Sequence, residues 1–146
     1  MRSSYFRSKP PKTAGREEFG REFVKLFLRK CGRADKRDVI ATATALTAHS
    51  IANAVLNFVL KRGVYREFIV SGGGTNNPTL LAMLANLLAP LGLQIRFSAE
   101  FGIPSESKEA VAFALLAYQT WNRKPSNIPA ATGAKRPAIL GKVSYV

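Results

Sequence analysis

With 146 residues, 47% of them hydrophobic, the chain fits one domain that can bury about two-thirds of its unfolded surface, which excludes wholesale disorder. A single cysteine, Cys31, rules out an internal disulfide, and a lone histidine, His49, leaves too few ligands for a zinc site, so no metal is expected. The net charge of +13 gathers at the front, where residues 1–37 hold 12 Lys/Arg against 4 Asp/Glu; this admits a polyanionic partner and equally describes a solvated basic surface.

No apolar stretch follows Met1-Arg2-Ser3-Ser4, so no signal peptide is expected. No window of 18 uncharged apolar residues stands out, hence no membrane span is expected, and the whole fits a reducing cytoplasm. Residues 1–16, with Pro10-Pro11 and scattered cations, read as an extended basic arm, and residues 17–146 as the folded lobe. Glu17 to Lys30 space Phe19, Phe23 and Phe27 as on one helix face, stopped by Gly32. The longest helix is expected over Lys36–Arg62, capped by Asp35 or Asp38, lined by Ile40, Leu46, Ile51, Val55 and Val59, and ended by Gly63. His49 falls mid-helix and reads as structural.

A strand is expected at 67–71, then a helix at 78–89 ended by Pro90 and Gly92. A second strand at 93–98 alternates Leu93, Ile95 and Phe97 against Gln94, Arg96 and Ser98. Gly102-Ile103-Pro104 turns into a helix at 105–122, and the tail 123–146 reads as loop with a last strand near Leu140–Val146. This order argues for an α/β fold, with a short parallel-type sheet, flanking helices and right-handed crossovers.

The most informative stretch joins the first strand to the next helix: Phe68-Ile69-Val70-Ser71-Gly72-Gly73-Gly74-Thr75-Asn76-Asn77-Pro78. Gly72, Gly73 and Gly74 remove every Cβ at the strand exit, so the backbone can take positive φ and another molecule can approach closely. Asn77 is suited to N-cap the helix and Pro78 to open it. Strand, bare turn and helix start together suit a nucleotide or phosphate, although a ligand-free turn would read the same. Neither G-x-G-x-x-G nor a P-loop accompanies it.

In the next helix Glu109 shares a face with Phe113, Leu116 and Thr120, and a first-turn carboxylate there could accept hydrogen bonds from ligand hydroxyls or merely complement the helix dipole. Glu100 and Glu106 flank the preceding turn and read as solvated. Lys12-Thr13-Ala14-Gly15-Arg16-Glu17 could line a cleft or form a surface loop. One histidine would have to serve everything and no motif points to it, so no Ser/His/Asp or Cys/His set is expected.

Five segments in order then add up. They are Tyr5-Phe6, Pro10 to Glu17, Gly72 to Pro78, Gly102-Ile103-Pro104 with Glu109 to Ala114, and Asn127-Ile128-Pro129-Ala130-Ala131-Thr132-Gly133-Ala134. From Tyr5 onward the chain resembles the C-terminal half of the anhydro-N-acetylmuramic acid kinase family, sugar kinases of the actin/hexokinase/Hsp70-like ATPase superfamily. The resemblance implies a partial actin-like (ribonuclease H-like) lobe and a cytoplasmic cell-wall recycling activity. That activity uses ATP, Mg²⁺ and water to open 1,6-anhydro-N-acetylmuramic acid and yield N-acetylmuramic acid 6-phosphate. It further implies that Gly72, Gly73, Gly74 and Asn77 face the nucleotide and that Glu109 lies near the sugar.

There are departures. Thr13-Ala14 stand where the family has Ser-Thr, Thr75-Asn76 where it has Ala-His, and Ala99 where it has an acid. The family's first phosphate loop and its Asp-Thr-Gly-Pro-Gly-like motif with the catalytic aspartate do not occur, so no catalytic residue is expected within this chain. On the resemblance the chain is one wall of a two-lobed cleft, inactive alone and prone to pair with a missing N-terminal lobe or with itself. A non-catalytic nucleotide- or protein-binding domain is the alternative, and a basic nucleic-acid-binding module ranks last.

Overall fold

The computed structural model describes residues 4–144. Its α-helices are α1 (Ser4–Arg7), α2 (Arg16–Phe19), α3 (Arg21–Cys31), α4 (Lys36–Ala54), α5 (Pro78–Leu88), α6 (Lys108–Trp121) and α7 (Pro129–Thr132). Two strands, β1 (Glu67–Val70) and β2 (Gln94–Phe97), pair in parallel with Glu67 opposite Gln94 and Val70 opposite Phe97. The fold is therefore mixed helix and sheet around a short parallel pair, as the order of elements implies.

The core lies where α4 and α5 pack beside the sheet. Ala48, Ala52 and Val55 meet Leu84, Leu88 and Leu93, all buried, with Leu88 fully so. Alanines on α4 bring the two helix axes close, and the leucines of α5 fill the space between them. Asp35 caps α4, its carboxylate accepting from Arg37 N at 2.8 Å. The last turn of the helix widens to i→i+5 bonding over Val55–Val59 before Gly63. His49 is exposed on α4 rather than structural within the core.

Several expectations need correction. Lys36–Val59 is 24 residues with a mean hydropathy of 1.5 in its most apolar window, long and apolar enough to cross a membrane by those measures. Beyond Asp38, threonine, serine, asparagine and His49 interrupt it, which hides it from a search for unbroken apolar runs. The helix expected over Glu17–Lys30 breaks at Gly20, where a Cβ would stand 2.0 Å from Arg16 O, so only glycine fits. The arm expected to be extended contains the turn α1, whose Tyr5 and Phe6 rings pack on Phe19 at 5.2 and 5.6 Å between centroids.

The alternation expected along 93–98 also fails at its end: Phe97 is 39% exposed while Ser98 is buried. There the strand gives way to a 3₁₀ turn over Ser98–Phe101, held by the Glu100 carboxylate accepting from Phe97 N at 2.6 Å. Glu100 is not merely solvated, because it also pairs with Arg96 at 2.6 Å. The last long helix starts at Lys108 rather than 105. Residues 140–144 form no strand, and the remainder of that expected strand lies outside the described residues.

Candidate functional site

Both strands of a parallel pair end on the same side, which is where open α/β sheets place ligands. Here β1 runs into Ser71-Gly72 and β2 into Ser98, and the two exits are tied by Ser98 Oγ donating to Ser71 Oγ at 3.0 Å. Ser98 is 8% exposed, so this pair fixes the floor of the site.

Gly72 has φ +84°, a backbone state that a side chain would strain. A single 3₁₀ turn follows over Gly73–Asn76. Thr75 stabilises it twice, its N–H and hydroxyl both donating to Gly72 O at 3.0 and 2.7 Å. Only Gly72 of the three takes positive φ. A Cβ at Gly73 would meet nothing within 4 Å, and one at Gly74 would touch only Leu80 at 3.8 Å. The fold thus requires glycine at 72, and it leaves 73 and 74 bare against solvent.

Asn77 caps α5, its Oδ1 accepting from Leu80 N at 3.0 Å, with Pro78 in the first turn. Its carboxamide oxygen is thereby engaged in the helix start. Under the turn lies a largely apolar cavity of about 250 Å³ bounded by Phe68, Val70, Ser71, Gly74, Thr75 and Leu84.

Lys108, the first residue of α6, reaches this turn: its Nζ lies 3.6 Å from where a Gly72 Cβ would stand. No ion pair holds it among the described residues. Sequence reasoning misses this lysine, whose one signal is its place at the start of a helix behind the Gly102-Ile103-Pro104 turn. Glu109 follows it, exposed and also without an ion pair among the described residues. The face expected to unite Glu109 with Phe113, Leu116 and Thr120 is half-covered at its far end alone. There the Thr120 hydroxyl donates to Leu140 O and the tail folds back, while Phe113 is 70% exposed.

Beside the site, Arg96 bridges Glu67 and Glu100 at 2.7 and 2.6 Å and lies 5.2 Å from the Phe101 ring centroid. The Phe97 N–H, and then Arg96, hold the Glu100 carboxyl below its ordinary value. Among the described residues no three His, Cys, Asp or Glu side chains converge as a metal site. Of the Lys12–Glu17 cluster, Lys12 lines a cleft, formed with Tyr5, Asn53, Asn57 and Phe58.

The sequence profile described as Anhydro-N-acetylmuramic acid kinase matches residues 1–146. Among similar proteins, the anhydro-N-acetylmuramic acid kinase of Bacillus cereus (strain Q1) is 41% identical over 145 residues, covering 99% of this chain and 38% of the relative. The kinase of the same name from Bacillus thuringiensis subsp. konkukian (strain 97-27) is 39% identical over the same shares. That of Caldanaerobacter subterraneus subsp. tengcongensis is 40% identical over 99% of this chain and 36% of its own. The chain spans well under half the length of these relatives. With the whole chain matched, it belongs to the anhydro-N-acetylmuramic acid kinase family.

Proposed function

We propose that this chain forms the nucleotide-side, C-terminal part of an ATP-dependent anhydro-sugar kinase with a partial actin-like lobe. In that reading it takes part in converting 1,6-anhydro-N-acetylmuramic acid to N-acetylmuramic acid 6-phosphate, in the cytoplasm, during cell-wall recycling, only when the other lobe is present. The observation that carries this is the glycine turn with Lys108 beside it, in a chain whose relatives are named as this kinase.

ATP fits the residues at hand. The Cβ-free backbone of Gly73 and Gly74 admits close approach of the nucleotide, and the apolar cavity below can take a flat ring. Lys108 supplies a cation where phosphates would leave the turn, and with Pro78 lacking an N–H and Leu80 N donating to Asn77, Thr79 N–H is the first-turn amide of α5 left to face them. Bound there, ATP supplies the phosphoryl group. Glu109, on the same helix end as Lys108, orients sugar hydroxyls or the attacking water by accepting their hydrogen bonds. The described carboxylates do not converge as a Mg²⁺ site, so no step is assigned to that ion here. The catalytic base belongs to the remaining lobe.

Calorimetric titration of this chain with ATP tests the site. Binding should be weak, because one wall of the cleft is absent, and Gly73→Val should weaken it further with little change in the thermal midpoint, since a Cβ there would meet no protein atom within 4 Å. Gly72→Val should instead lower the midpoint through its positive φ. Equal ATP binding by wild type and Gly73→Val would refute the assignment.

A further inference from the structure

The arm and the end of the long helix enclose a second, separate cleft. Residues Tyr5–Lys12 lie along Ser50–Arg62, and between them open two adjoining cavities of about 440 and 610 Å³ that share Phe6, Arg7, Asn57 and Phe58. Five cations line them: Arg7, Lys9, Lys12, Lys61 and Arg62. Neither lining contains a carboxylate, and none of the five is ion-paired among the described residues.

Lys12 is the anchor. It is half-buried, its Nζ donates to Tyr5 O at 2.9 Å, and it stands 4.5 Å from the Tyr5 ring centroid and 5.4 Å from that of Phe58. The ring faces stabilise the ammonium without neutralising it, so the site keeps its positive charge. Five like charges around one hollow repel each other, and salt with a screening length of ~8 Å relieves that repulsion only in part until an anion joins them.

We propose that this cleft binds a small, soluble molecule carrying two or more phosphate groups, with the cations on the phosphates and Phe6, Tyr5 and Phe58 against its organic body. The hollow is bounded on two sides by arm and helix, which suits a compact ligand better than a duplex needing an open face. Its walls are distinct from those under the glycine turn, the two sharing only Ile51.

The test is titration of this chain with tripolyphosphate at ~50 and ~150 mM salt, comparing wild type, Lys61→Gln/Arg62→Gln, Lys9→Gln and Gly73→Val. Wild type should bind, more weakly at the higher salt. The double variant should lose about tenfold or more in affinity and Lys9→Gln a smaller factor, all three side chains being exposed and free of ion pairs. Gly73→Val should bind tripolyphosphate as wild type does even as its ATP binding weakens, which separates this site from the nucleotide reading. Unchanged affinity in both charge-removing variants would overturn the proposal. So would loss of binding in Gly73→Val, or an oligoribonucleotide that binds the cleft and resists displacement by tripolyphosphate.

Discussion

Gly72 and Gly73 are chemically identical and structurally opposite. One is demanded by a φ of +84°, while the other faces open space and matters only if something approaches. Glu109 can be separated in the same way. In an enzyme assembled with this chain, Glu109→Gln keeps the shape and removes the charge that strengthens hydrogen bonds to sugar or water. Its kcat/KM should fall about 10- to 100-fold with the melting temperature little changed. Steady-state kinetics at wild-type level would return Glu109 to a helix-dipole role. Glu100 makes a prediction in pH. Its carboxyl is lowered first by the Phe97 N–H and then by Arg96, so its stabilising contribution is complete above the ordinary glutamate value of 4.5. That contribution is lost as pH falls through the lowered folded value. An NMR titration following the Glu100 carboxyl and the Phe97 amide together should show both moving below 4.5. A carboxyl titrating at or above that value would remove this bond from the account.

Among elements, the contact of α4 with α5 is where the described core is concentrated. Leu88 is fully buried between them, so Leu88→Ala should cost about 2–5 kcal/mol, read as a shift of the urea midpoint, whereas Leu87→Ala on the half-buried side should cost less. Equal shifts would mean that the core lies elsewhere. The same elements explain what could be read beforehand. The glycine turn, its Asn77 cap and the parallel strands are legible because β-branched runs, glycine and Asn-Pro act locally. Gly20 is not, since its helix break depends on the Arg16 carbonyl 2.0 Å from its absent Cβ. Nor is Ser98: its burial comes with the Ser71 hydroxyl across the sheet, a partner 27 residues away. Lys108 escapes notice for a like reason, because only the folded chain sets its ammonium beside Gly72.

At the scale of the molecule, apolar surface is left uncovered. Along α6, Phe113, Leu115, Tyr118 and Trp121 are 58–70% exposed, an unusual state for a helix of that composition. The two-stranded sheet likewise offers unpaired edges. The proposed reading as one part of a kinase would cover both, and the relatives named above are more than twice as long as this chain. The most direct test mixes this chain with the complementary N-terminal portion of the Bacillus cereus relative and follows phosphate transfer from ATP to 1,6-anhydro-N-acetylmuramic acid. Neither part alone should give product, and the mixture should give N-acetylmuramic acid 6-phosphate. Product from this chain by itself, or none from a mixture in which the two parts demonstrably associate, would contradict the proposed function.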